Sequence, residues 1–119
     1  MAKQDLLNMI EKIISLDSQM RFASIIDLKG NIVEGIMKTG KASLESQRQE
    51  EHFCKQVSQR RKMRKEFDRQ LGSVNFAMAS REHALAISII LNEDILYVVA
   101  EPDYDYCIFP KKILNIINS

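Results

Sequence analysis

Apolar residues near the N-terminus recur with helical spacing. Leu6, Leu7, Met9, Ile10, Ile13 and Ile14 fall at i, i+3, i+4, i+7 and i+8, which predicts a helix over residues 4–16 with one broad apolar stripe. Asp17 and Ser18 offer its stop. The period then changes. Arg21-Phe22-Ala23-Ser24-Ile25-Ile26-Asp27 is rich in β-branched and aromatic residues, Leu28-Lys29-Gly30-Asn31 supplies a turn, and Ile32 to Met37 returns. Residues 20–37 therefore read as a β-hairpin.

Thr39 to Ala42 reads as a loop, with Ser43 as the N-cap of the next helix. Residues 43–70 contain neither Gly nor Pro and are rich in Gln, Glu, Arg and Lys. They predict one long helix with a candidate break near Ser58 and with Gly72 as its C-terminal stop. Three strands follow. Val74, Phe76 and Met78 alternate with Asn75, Ala77 and Ala79; residues 84–91 and 95–100 are apolar on both faces; residues 80–83 and 92–94 are the polar turns between them. A sheet whose central strands are apolar on both sides must be covered on both sides. Residues 110–118 close the chain as a short helix with Pro110 in its first turn, where the missing N–H is harmless.

The element order is α-β-β-α-β-β-β-α. It predicts an α+β fold: a five-stranded antiparallel sheet, with the long helix on one face and the two terminal helices on the other. There is no internal repeat, linker or low-complexity tract, so residues 1–119 read as one domain. An apolar fraction of 45% with 28% charged residues excludes wholesale disorder. Lys plus Arg is 17 and Asp plus Glu is 16, a net charge of +1, which argues against a bulk polycation wrapping nucleic acid. The longest near-apolar run, residues 84–91, is far too short to span a membrane. Met1 to Leu16 lacks the continuous apolar core of a signal peptide. Cys54 and Cys107, 53 residues apart, form no C-x-x-C pair; a reduced, cytoplasmic setting is expected, with one disulfide as the alternative.

The order of elements resembles the roadblock/dynein light-chain superfamily, a relative of the longin and profilin-like folds. Ile25-Ile26-Asp27-Leu28-Lys29-Gly30-Asn31-Ile32-Val33 is similar to that family's first hairpin, and residues 84–100 resemble its last. The run Arg60-x-x-Met63-Arg64-x-x-Phe67-Asp68 resembles a group of small uncharacterised archaeal proteins. GAF and PAS sensory domains share the outline, but a single long central helix favours roadblock. The resemblance implies a homodimer in which central helices and third strands meet, and a small GTPase as a partner class. The family has no diagnostic catalytic signature.

The residues agree that catalysis is not expected. There is no phosphate-cradling Gly motif and no nucleophile elbow. His52 and His83 are isolated, the first expected on a helix surface and the second in a turn. Glu101, Asp103 and Asp105 alternate as a calcium loop begins, but counting from either Glu101 or Asp103 the required Gly and Glu are missing. A solvated acidic loop is the expectation, with no metal and no cofactor. Tyr97 is expected within the sheet, and Tyr104 and Tyr106 on a loop that could rim a partner or a ligand cavity.

The central helix carries the anomaly. Phe53, Val57, Met63, Phe67 and Leu71 fall in one helical stripe that also holds Arg60 and Arg64. Arg61, Lys62, Lys65 and Arg69 fall on the opposite face, read as exposed. Arg60 and Arg64 have three readings: snorkelling with wet heads, pairing with carboxylates across an interface, or holding an anionic ligand. The leading reading is a non-enzymatic homodimeric interaction module. It uses Phe53, Val57, Arg60, Met63, Arg64, Phe67, Leu71 and Phe76 as its interface, with a second protein, in particular a small GTPase, as further partner. The alternative is a GAF/PAS-like sensing domain whose pocket lies between sheet and helix, with Arg64 or Tyr97 holding an acidic small molecule. Nucleic-acid binding by the basic face is a third reading; no aromatic residue interleaves there to stack on bases. Residues 60–69 carry six basic and two acidic side chains, while residues 93–105 carry five acidic and no basic ones. The near-zero total hides this segregation.

Overall fold

The computed structural model describes residues 3–42 and 46–118. Among them the chain forms α1 (Lys3–Ile14), β1 (Met20–Asp27), β2 (Ile32–Met37), α2 (Gln47–Lys65), α3 (Asp68–Leu71), β3 (Ala77–Ser80), β4 (Leu85–Leu91), β5 (Asp94–Ala100) and α4 (Phe109–Ile117). The strands make one antiparallel sheet in the order β2-β1-β5-β4-β3. The expected α+β architecture is present.

Period-two alternation sorts the strand residues between two faces. Ala23, Ile25, Leu85, Ile87, Leu96 and Val98 point to α1 and α4, where Ile10, Ile13, Phe109 and Ile113 complete a fully buried core. Ile26 and Ile95 point the other way and meet Cys54 and Val57 of α2. The two cores are unequal: seventeen buried residues in the first and four in the second, among those described. Small residues explain the thinner layer. Ser24, Ala86 and Ser88 occupy the α2 side of the central strands, and edge strand β3 pairs Ala77 with Ser88 and Ala79 with Ala86.

Two expected elements shift. The central helix divides: α2 ends at Lys65, and Glu66 and Phe67 make a turn before α3. Glu66 N–H donates to the Met63 carbonyl and Phe67 N–H to that of Arg64, so the last turn tightens into i→i−3 bonds. Ser58 does not break the helix, because its hydroxyl donates outward to the Leu28 carbonyl. Gly72, at φ +82°, is the stop after α3. The cap of α2 is Ser46; Ser43, expected in that role, lies outside the described residues. Strand β3 begins at Ala77 rather than Val74. Its register is measured back from the tight connection in which Arg81 N–H donates to the Ala84 carbonyl. Residues 74–76 alternate like a strand but lie outside the ladder. No helix among the described residues is long and apolar enough to cross a membrane.

Candidate functional site

Helix α2 starts from a capping box. Ser46 Oγ accepts from Gln49 N–H at 3.2 Å, and Gln49 Oε1 accepts from Ser46 N–H at 3.0 Å. Nineteen residues give a rod of about 28 Å. It crosses the turn of the β1–β2 hairpin, where Gly30 at φ +90° lies so near the helix that a Cβ would come within 2.6 Å of Lys55 Cα. The turn is itself pre-formed. Asp27 accepts from Lys29 N–H, Asn31 N–H and the Asn31 amide, and these bonds, led by the Asn31 backbone, hold its carboxyl below the usual value.

The side of α2 facing the sheet is Cys54, Val57, Ser58 and then Arg61, residues spaced by three and four. This corrects the expected basic face. Arg61 is half-buried, and its Nε is buried without a hydrogen-bond partner among the described residues. Lys62, Lys65 and Arg69 are exposed. The expected apolar stripe divides: Val57, expected at the interface, is buried against the sheet, and the residues from Met63 onward face away from it. Phe53 is half-buried at its edge, but Met63 is 64% exposed, Phe67 57%, Leu71 81% and Phe76 39%. Arg60 lies 5.5 Å over the Phe53 ring and donates to Gln56 Oε1, while Arg64 is exposed. Cysteine and serine at i and i+4, opposite a glycine turn, are the available signal that small residues form the contact face of α2.

Besides a cavity of about 250 Å³ lined by both Arg64 and Tyr97, two others open beneath this helix. The larger, about 450 Å³, lies between the first half of α2 and the sheet. Phe22, Phe53, Tyr97 and Val99 supply its apolar wall, and Arg81 and His83 stand at it. Phe53 and Tyr97 pack at 5.5 Å, and Arg81 lies 6.0 Å over the Phe53 ring. Tyr97 is thus where the sensing-domain reading requires it; Arg64 does not line this cavity but joins Tyr97 in the lining of the 250 Å³ one. The smaller, about 180 Å³, lies under the second half of α2.

The loop after β5 differs from expectation. Tyr104 is buried, packed edge-on against Phe109 at 5.4 Å, because the chain folds under α4; Tyr106 is exposed. Glu101 accepts from Arg21 at 2.8 Å and from Lys41 at 2.6 Å, and its carboxyl is held below the usual value, most by Lys41. Asp103 accepts from Gln19 and Asp105 from Cys107 N–H. Glu101 thus ties the chain together, while Asp103 and Asp105 are exposed, as expected of a solvated acidic loop. His52 is exposed within 3.4 Å of the Gln56 amide.

Residues 7–118 match the model of a family of unknown function, DUF6659. No curated protein matches the chain. Solved structures share its fold at low identity. A Roadblock/LC7 domain from Streptomyces avermitilis aligns with TM-score 0.70 and 10% identity, over 92% of this chain and 89% of that one. The gliding protein MglB of Thermus thermophilus aligns with TM-score 0.73 and 12% identity, over 96% and 86%. An MglB in a tetrameric arrangement aligns with TM-score 0.74 and 12% identity, over 97% and 81%. The fold is roadblock-like.

Proposed function

The chain belongs to the DUF6659 family of unknown function, and from that premise we propose that it is a non-enzymatic interaction module that acts as a homodimer joined through α2. The observation that carries this reading is the outward rotation of the α2–α3 stripe. Met63, Phe67 and Leu71 present large apolar side chains to water beside Arg64. Apolar residues gathered on an exposed face mark a contact surface. Phe76 is a further exposed apolar residue of the expected interface. An MglB, similar in fold, has a tetrameric arrangement, which supports self-association. The roadblock-like fold supports a small GTPase as the partner beyond the homodimer.

Light scattering on the full chain at tens of micromolar tests the dimer. Twice the monomer mass is expected, and Met63→Glu with Phe67→Glu should return it to one while the melting transition survives. A wild-type chain that is strictly monomeric at that concentration overturns the reading. The sensing-domain reading has two observations in its favour: the 450 Å³ cavity walled by Phe22, Phe53 and Tyr97, a volume in the range of small-ligand sites, and the 250 Å³ cavity lined by both Arg64 and Tyr97. An aromatic carboxylate that raises the melting temperature of wild type but not of Tyr97→Ala would favour it.

A further inference from the structure

The smaller cavity under α2 has the wrong charge to be empty packing. Three of its lining side chains are cations, Arg61, Arg64 and Lys65, against one carboxylate, Asp68. Spacings of three and four along the helix bring these cations onto neighbouring positions, where like charges repel. Yet none of them forms an ion pair among the described residues, Asp68 included. The Arg61 Nε–H is buried with no acceptor among those residues. A buried donor without a partner is costly and, in native proteins, has a reason. Ile90 and Ile95 of the sheet also line the cavity and offer no side-chain acceptor to compete for the donor.

We propose that this cavity binds a phosphate group, as the free ion or on a small phosphorylated molecule. Charge and donor number both select it. Three cations and one carboxylate leave a net charge of +2, which a phosphate monoester or phosphate ion of charge about −1.5 to −2 neutralises and a carboxylate does not. Arginine forks and a lysine supply donors to three oxygens at once. Ser73 adds a hydroxyl, and Ser88, whose own bond to the Ala77 carbonyl is long at 3.5 Å, adds a second that redirects readily. A volume of about 180 Å³ admits the phosphoryl group and the first atoms attached to it. The site is formed within one chain, and Arg64 is shared between it and the proposed dimer face.

The test is an NMR titration of the ¹⁵N-labelled full chain with inorganic phosphate and with phenyl phosphate, ionic strength held constant against sodium chloride. Saturable shifts are expected at the Ser73 and Ser88 amides and at the Arg61 Nε–H resonance. Arg61→Leu and Arg64→Gln should each weaken binding about tenfold or more, the loss of one charge-assisted contact. Lys62→Gln, outside the cavity, should leave it unchanged. Tighter binding of phenyl phosphate assigns an ester ligand, and tighter binding of the inorganic ion assigns free phosphate. Shifts that never saturate, that chloride reproduces, or that persist in both arginine variants mean an adventitious ion only and overturn the proposal. Arg64 is exposed, so its variant carries the test if Arg61→Leu does not fold.

Discussion

At Gly30 a helix and a hairpin turn approach more closely than any side chain allows. Alanine there meets two penalties at once: a left-handed φ of +90° and a Cβ only 2.6 Å from the backbone of Lys55. Gly30→Ala should lower stability by about 2 kcal/mol or more, read as a fall in the urea midpoint. Ser58→Ala removes the donor to the Leu28 carbonyl and should cost about 1 kcal/mol. A Ser58→Ala chain as stable as wild type would mean that this contact does not anchor the helix. These two residues, with Cys54, make the docking face of α2 hard to read from sequence. They are small or polar, and the eye follows Phe67 and Leu71, which face solvent. Arg61 misleads for a related reason, since charge predicts exposure except where a cavity gives the charge somewhere to go.

Among the elements, legibility follows burial. Helices α1 and α4, the first hairpin and strands β4 and β5 pack into the larger core, so their apolar period is strong and their bounds are readable to within a residue or two. Strand β3 has a neighbour on one side only. Its start is decided by the turn at residues 81–84 rather than by its own alternation, which runs on upstream into residues that pair with nothing in the sheet. The link among Arg21 in β1, Lys41 in the following loop and Glu101 beyond β5 is invisible in a local pattern, because Lys41 and Arg21 lie 60 and 80 residues from Glu101. That link makes the fold sensitive to acid. The Glu101 carboxyl is ionised to lower pH in the folded chain than in the unfolded one. Its stabilisation is complete above the usual glutamate value of 4.5 and is lost as pH falls through the lowered folded value. Melting temperature should therefore drop on acidification below that point, and Glu101→Gln should start lower at neutral pH and fall less. An identical acid profile in the variant would assign the sensitivity elsewhere, with Asp27 in the hairpin turn the next carboxyl to test.

The whole molecule has one finished side and one unfinished side. Its accessible surface is 7585 Å², against about 6,600 Å² for a compact monomer of this mass. The exposed Met63, Phe67 and Leu71 of the α2–α3 face contribute to that excess. A dimer of standard size buries roughly 800 Å² from each protomer, an area of the same order. Charge points the same way. Within the acidic segment only Glu101 is ion-paired among the described residues, with Arg21 and Lys41, and the cations of residues 60–65 have no carboxylate partner there.

The thin core under α2 also gives the protein a built-in clock. Cys107 is exposed and Cys54 is 2% exposed beneath the helix. A thiol reagent meets the first at once, and reaches the second only when α2 lifts from the sheet, a local opening that the four-residue core resists far less than the opposite face would. The slow phase of labelling counts those openings one by one, and any molecule that clamps α2, a second protomer or a phosphate, stretches the interval between them.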